Sequence, residues 1–327
     1  MEILINISLF YGIIILKGDK VMEELVEKLQ TYLVKRNSPK VAQVAKDLEL
    51  EEYQIYGLVE MLKKKGYLFD ILDDRIVKIK PIKENGVYEI PNNLDHLKLL
   101  LISDTHIGSQ YDRLDILRYL YDKASKNGVN YVLHSGDLTE GVSGRPQQLY
   151  ELRESSYTGQ RDYVVDKYPK SDIPTYIISG NHDLWWIKKC GSDIVKDICD
   201  SREDLHYLGS DCEDLKIGKL RIRLYHGNGG SAYAKSYKIQ KYLDSIPPSE
   251  RPHILQTGHV HNAFFMKQGN TYCFQTSCLQ DLTPYERSQG FNNDKSVWWV
   301  DVAMDDNGNP VQVQQELETF GKKLKRR

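Results

Sequence analysis

Between residues 104 and 261 the chain carries eight side chains suited to metal binding or proton transfer: Asp104, His106, Asp137, Asn181, His182, His226, His259 and His261. They follow, in order, short apolar runs at Leu97–Ile102, Tyr131–Leu133, Thr175–Ile178, Leu220–Tyr225 and Ile254–Gln256. Runs of this kind, rich in leucine, isoleucine and valine, read as buried strands. Open α/β sheets gather ligands just beyond the carboxyl ends of their strands. The spacing therefore predicts one site supplied from five strand ends. Its donors are carboxylate, imidazole and amide with no thiolate. That set suits manganese, iron, zinc or nickel and excludes a cysteine-rich structural zinc site. Singly each signal is weak, because Asp-x-His is common and a lone histidine after a strand is more often structural than a ligand.

The order of the motifs is more specific than any one of them. Ser103-Asp104-Thr105-His106-Ile107-Gly108, Gly136-Asp137-Leu138-Thr139-Glu140, Gly180-Asn181-His182-Asp183, Tyr225-His226-Gly227 and Gly258-His259-Val260-His261 together resemble the calcineurin-like metallophosphoesterase superfamily over about residues 97–284. The resemblance implies an α/β fold, a metallophosphoesterase-type β-sandwich flanked by helices. It implies one metal held by Asp104, His106 and His261, a second held by Asn181, His226 and His259, and Asp137 bridging them. Two such cations, about 3.5 to 4 Å apart, clamp phosphate oxygens and acidify a bridging water, whose hydroxide then attacks in line. Manganese is the first expectation for the two divalent ions, with iron, zinc or nickel as alternatives. By the same resemblance His182 approaches the phosphate and helps the leaving oxygen depart. Asp183 either orients His182, as carboxylates orient catalytic imidazoles, or caps the following helix.

Other residues have plainer readings beside functional ones. His96, His134, His206 and His253 match no motif and are expected to be structural or solvated, with His134 close enough to Asp137 to line the site. Trp185 and Trp186 can form a base-stacking wall but are more simply core packing. Arg145, Arg153, Arg161, Lys167 and Lys170 alternate with Tyr150, Tyr157, Tyr163 and Tyr168. Such a stretch offers phosphate contacts and stacking faces to a strand, or forms an ordinary helical surface. After Gly227-Asn228-Gly229-Gly230-Ser231 a helix is expected over Ala232–Leu243, with Tyr233 and Lys235 in a segment resembling phage and prokaryotic metallophosphoesterases. Arg145 and Tyr233 are the expected substrate contacts.

The substrate is not legible from the metal motifs, which serve several phosphoester chemistries. Asp104-Thr105-His106-Ile107-Gly108 is similar to the first motif of double-strand-break-repair nucleases, although Gly136–Gly141 lacks the aromatic and acidic continuation common in them. A DNA-processing phosphodiesterase or nuclease is the leading expectation. The alternatives are a phosphomonoesterase on nucleotides or phosphoproteins, and a winged-helix regulator whose phosphoesterase domain senses or scaffolds.

The elements upstream differ in texture. Leu25, Leu29, Tyr32 and Leu33 recur at helical spacing from Met22, then Val41, Val44, Ala45 and Leu48, then Ile55, Leu58, Val59 and Leu62. Tyr67-Leu68-Phe69 and Arg75–Ile79 flank Asp73-Asp74 as two strands around a tight turn. Residues 22–80 thus resemble a winged helix, whose third helix can enter a DNA groove. Acidic and basic residues balance at eleven each there, and Glu51 and Glu52 open the third helix. DNA and protein therefore both stand as partners of this domain. Residues 81–95 read as a polar linker, and 96–327 as the phosphoesterase domain with a basic tail.

Composition narrows the rest. The 327 residues carry 44 Lys and Arg against 46 Asp and Glu, so no global positive field announces a nucleic-acid or membrane partner. The cysteines number 5, an odd count without a C-x-x-C pair, which fits a reducing cytoplasm rather than a disulfide framework. Ile3–Leu16 is shorter than the ~20 apolar residues of a membrane span and lacks the positive start of a signal peptide. Lys17-Gly18-Asp19 can be encoded as a ribosome-binding sequence ahead of Met22. Residues 1–21 are accordingly expected to be an upstream extension or a disordered tail, against the plainer reading of an extra strand or core segment.

Overall fold

A computed structural model of the chain describes residues 19–34, 36, 38–64, 69–78, 82–84, 86–92, 94–230 and 234–321. Residues 1–18, Tyr233 and the basic tail from residue 322 lie outside them. The chain divides into two compact units, Met1–Pro81 and Ile82–Arg327. Among the described residues no helix is long and apolar enough to cross a membrane.

The first unit holds α1 (Asp19–Val34), α2 (Val41–Leu48) and α3 (Glu52–Lys64), followed by strands β1 (Phe69–Leu72) and β2 (Arg75–Lys78). Apolar residues at helical spacing turn one face of each helix inward. Val26, Leu29, Leu33, Val44, Leu48, Ile55, Val59 and Leu62 meet there, with Phe69 and Ile76 from the hairpin. Asp73 and Asp74 take φ of 48° and 58° between the paired Leu72 and Arg75. Two left-handed residues in a two-residue loop match the twist of a hairpin. Helix α1 begins at Asp19, three residues before the expected start at Met22, so the 21/22 boundary falls inside a helix rather than before it.

The second unit is built on two mixed sheets flanked by helices. The first has the order β15-β14-β5-β6-β7-β8. Here β5 (His96–Ile102), β6 (Tyr131–His134), β7 (Thr175–Ser179) and β8 (Leu205–Ser210) run parallel, and β14 (Lys295–Met304) and β15 (Pro310–Phe320) continue antiparallel. Helices α4 (Leu114–Lys126), α5 (Tyr157–Lys167), α6 (Asn181–Cys190) and α7 (Ile194–Asp200) supply Leu117, Leu120, Val164, Trp186 and Ile198 to a core with Leu100, Val132 and Ile177. The second sheet has the order β12-β13-β11-β10-β9-β4-β3. Its members include β9 (Cys212–Ile217), β10 (Leu220–Tyr225), β11 (Ile254–Thr257), β12 (Phe264–Gln268) and β13 (Thr271–Gln275), with α8 (Lys235–Ser245) packed through Ile239 and Leu243 on Leu255 and Cys273. Fully buried Gln256 on β11 donates to Ile102 O at 2.8 Å and Leu133 O at 3.2 Å, tying the sheets together where a lone amide would be costly.

The expected linker 81–95 is not one. It contributes β3 (Ile82–Glu84) and β4 (Val87–Ile90), and β4 pairs in parallel with β9 from Val87↔Asp214 to Ile90↔Ile217. These strands are only 3 and 4 residues long, joined by backbone pairing and anchored by buried Ile90, so apolar periodicity does not reveal them. The helix expected at Ala232 begins instead at Lys235.

Candidate metal centre

The five strands expected to feed the site are β5, β6 and β7 of one sheet and β10 and β11 of the other, and each ends at its candidate ligands. Asp104 and His106 follow β5, Asp137 follows β6, Asn181 opens α6 just after β7, His226 follows β10, and His259 and His261 follow β11. The loops turn sharply. Asp104, His106, Asp137, His259 and His261 all have positive φ, from 45° to 71°. Left-handed backbone is uncommon for such residues and costs of order 1–3 kcal/mol each where it is strained. Gly136 lets the loops meet: at φ +98° a side chain there would sit 2.7 Å from His226 Nδ1.

The side chains converge into clusters. Asp104, His106 and His261 bring one ligand atom each within 4.8 Å of one another, as do Asp137, His226 and His259. In the first cluster His261 Nε2 lies 3.3 Å from Asp104 Oδ1 and 3.1 Å from His106 Nε2. In the second, Asn181 Oδ1 lies 2.9 Å from His226 Nε2 and 2.8 Å from His259 Nδ1, and Asp137 Oδ2 is 3.2 Å from His226 Nε2. Asp137 stands between the clusters, with the same oxygen 4.0 Å from His106 Nε2.

Proton accounting tests whether a cation fits. His226 Nδ1 donates to Ser135 O at 2.8 Å, and His259 Nε2 donates to Gly229 O at 3.0 Å. His261 Nδ1 donates to Glu286 Oε1 at 3.1 Å. His106 Nδ1 lies 3.3 Å from Glu140 Oε2, an ion-pair distance rather than an aligned hydrogen bond. With the outer nitrogens so engaged, each inward nitrogen meets other acceptors, and a proton or a cation must lie between them. Divalent cations satisfy that convergence, and the nitrogen and oxygen donors suit them. The buried His/Asp clusters thus fit a binuclear metal site.

Electrostatics agree. Burial opposes charge on Asp104 and Asp137, yet the surrounding imidazoles hold both carboxylates below their ordinary range. Burial likewise opposes charge on His106 and His226. Glu140 nevertheless pushes His106 up to about 9, and Asp137 pushes His226 up to about 10. Buried carboxylates here call for positive charge.

His182 is drawn into the same place. Its Nδ1 donates to Glu140 O at 2.7 Å, and its Nε2 faces Asp137 Oδ2 at 4.0 Å. Asp183 does not orient it. The Asp183 carboxylate accepts from Gly180 N at 2.9 Å, Leu138 N at 3.1 Å, and Thr139 N and Oγ1 at 2.8 Å each. It caps α6 and pins the Asp137 loop instead, because the helix start points it back beneath that loop. Burial, then the Asp137 charge, raise it to about 7 against those four bonds. His134 is buried and structural: its Nδ1 accepts from Gly136 N and its Nε2 donates to Thr105 Oγ1, which donates on to Leu138 O.

Two carboxylates escaped the sequence reading. Glu140 lies beside His106 and is itself held by Gln148 at 3.0 Å and Gln280 at 2.9 Å. Glu286 holds His261 and caps its own short helix α9 (Pro284–Ser288) with Thr283. The Thr-Pro-x-Glu capping box was a visible signal for the helix, though not for its imidazole partner.

Outside the clusters the expectations divide. Arg145 stacks over the Tyr285 ring at 3.6 Å, next to Glu286. Arg161 and Lys167 pair with neighbouring Asp162 and Asp166, while Tyr168 is core, so much of that stretch is ordinary helical surface. Trp186 is core and Trp185 stacks on His182. His96 pairs with Asp301, His206 stacks on Tyr176, and His253 Nδ1 accepts from Arg221 N.

The chain is similar to the DNA polymerase II small subunit of Thermoplasma acidophilum, 23% identical over 83% of this chain and 62% of that protein. It is similar to the subunit of the same name from Methanothermobacter thermautotrophicus, 22% identical over 65% of this chain and 54% of that protein. The chain therefore spans about half to three fifths of these relatives' length. Solved structures with a related course include a novel archaeal phosphodiesterase (16% identity, TM-score 0.41, 68% of this chain and 100% of that one). Another is YfcE, a phosphoesterase from E. coli (16% identity, TM-score 0.34, 67% and 98%). Residues 97–276, more than half of the chain, match the calcineurin-like phosphoesterase superfamily domain, and the chain belongs to that superfamily.

Proposed function

We propose that the protein is a binuclear-metal-dependent phosphodiesterase or nuclease acting on DNA. The observation that carries this reading is the convergence of His106, His261 and Asp104 beside His226, His259 and Asn181, with Asp137 between them. Asp104, His106 and His261 would hold one divalent ion, and Asn181, His226 and His259 the other, manganese first. When bound, such ions supply Lewis acidity toward a phosphoryl oxygen and acidify water.

The chain's own residues do the rest. Asp137 keeps the two clusters in register, and the carbonyl partners of His226 and His259 fix which nitrogen faces inward. His182 directs Nε2 into the site. As water's oxygen bonds to phosphorus, the bond to the leaving oxygen breaks with its electron pair. His182, entering as the imidazolium with its Nδ1–H on the Glu140 carbonyl, gives that oxygen its Nε2 proton, and the proton lost by water restores the imidazolium. Arg145 and Tyr233 are the proposed substrate contacts.

The relatives' name supports DNA as the substrate. It also supports a second reading, in which the phosphoesterase unit works within a DNA polymerase assembly and the winged-helix-like residues 22–80 dock DNA or a protein. The test is a metal panel on bis-p-nitrophenyl phosphate, p-nitrophenyl phosphate and labelled single- and double-stranded DNA. Hydrolysis of the diester and of DNA, with loss of at least about a hundredfold in Asp137→Asn, is the expected result. Equal rates in wild type and variant overturn the catalytic reading, and preference for the monoester overturns the nuclease reading.

A further inference from the structure

The ring of His182 is held by Glu140, by His106 of the first cluster and by Trp185. Glu140 O takes its Nδ1 proton on one edge. His106 meets it edge-on, 4.6 Å between centroids and 75° between planes. Across its face lies Trp185, one turn along α6, with 4.0 Å between ring centroids and 30° between planes. Residues three apart on a helix are natural neighbours, and Gly141 packs close to both, so that a side chain there would run into His182 O. At Gly141 an added side chain would come 3.0 Å from Trp185 Cε3.

Gly141 is fixed in turn. Fully buried Gln160 accepts from Gly141 N at 2.9 Å and donates to Gly141 O at 3.0 Å and to Glu154 O at 2.8 Å. The same clamp therefore seats the Glu140 carbonyl and the wall against which Trp185 rests. Rotation of the His182 ring would break the Glu140 bond, lose the stack or strike His106.

We propose that Trp185 is a positioning residue: backed by the Gly141–Gln160 clamp, it fixes the His182 ring so that Nε2 points at the leaving oxygen. This rests on the phosphodiesterase reading above, in which His182 assists that oxygen. Displacing a reacting group by about 1 Å can cost on the order of a hundredfold in rate. The cost falls on leaving groups that need a proton, and an alkoxide needs one far more than p-nitrophenolate does.

The experiment compares wild type with Trp185→Leu and Trp185→Phe on a dinucleoside phosphate and on bis-p-nitrophenyl phosphate, with the His182 ring protons followed by NMR. In Trp185→Leu, kcat for the dinucleoside phosphate should fall roughly ten- to hundredfold, with KM little changed and the p-nitrophenyl diester nearly unaffected. Trp185→Phe should recover most of the loss. The His182 ring resonances should sit upfield in wild type, under the indole ring current, and move downfield in the leucine variant. Equal losses on both diesters, or no loss on either, overturn the proposal, as do His182 resonances that do not move. If wild type cleaves neither diester, the phosphodiesterase reading fails by itself, while the NMR comparison still decides whether Trp185 holds the ring.

Discussion

His106 Nε2 and His261 Nε2 face each other across 3.1 Å, and each ring has a carboxylate at its other nitrogen, Glu140 for His106 and Glu286 for His261. With their outer nitrogens so held, the two facing nitrogens need a proton or a cation between or beside them. The residues are 155 positions apart. Their meeting is therefore the most economical sign that this end of the sandwich is built around cations.

Removing metal should destabilise the fold as well as silence it. A ligand present at a hundred times its dissociation constant adds about 2.7 kcal/mol of stability. Thermal unfolding with EDTA is expected to shift to lower temperature and to be restored by manganese. A melting curve indifferent to both would leave the clusters without a metal.

Glu286→Gln tests the partner of His261. Loss of such an imidazole-orienting carboxylate typically weakens metal affinity by about 10–100-fold. Titration calorimetry with manganese should show one of two sites weakened by that factor and the other retained. The buried Glu286 carboxyl lies at about 2, because His261 outweighs the burial penalty, so the charged form is the one being removed.

Gly136→Ala should be among the most damaging single changes. The backbone there is left-handed, and the new methyl group would lie 2.7 Å from His226 Nδ1 and 2.9 Å from Gly180 N. Strain plus overpacking are expected to cost on the order of 2–4 kcal/mol, read as a drop in urea midpoint together with loss of metal. Gly128→Ala is the comparison: its φ is +66° but nothing lies within 4 Å. Its cost should be the smaller one of backbone strain alone.

Asp112 offers a pH test away from the ligands. Burial lifts its carboxyl from 3.8 to about 6, against a hydrogen bond from Gly108 N and the charge of Arg153. A carboxyl raised on folding favours the protonated native state. Its contribution is complete below pH 3.8 and is lost as pH rises through 6. Relative to Asp112→Asn, wild type should therefore lose roughly 1–3 kcal/mol between pH 4 and 7, measured by urea unfolding at each pH. Parallel profiles for the two proteins would contradict this.

The residues that form the two clusters could be picked out because their physics is local. Short apolar strands announce themselves by composition, and each ligand follows one of them directly, so motif order carried the site. The first unit's core was legible for the same reason: Leu29, Val44, Ile55 and Leu62 follow helical spacing. Strands β3 and β4 were not, because pairing of so short a segment needs a neighbour rather than a pattern.

What the amino-acid order determines by itself is which residue types stand at the ends of which strands, since side-chain chemistry and strand propensity are both written locally. Only the folded chain decides their partners. Asp183 turned from His182 to the Asp137 loop, Glu140 and Glu286 arrived beside His106 and His261, and Trp185 came to rest on His182. A hydrogen bond or a ring stack depends on positions a few tenths of an ångström apart in space, and those are set by how two sheets and their loops pack.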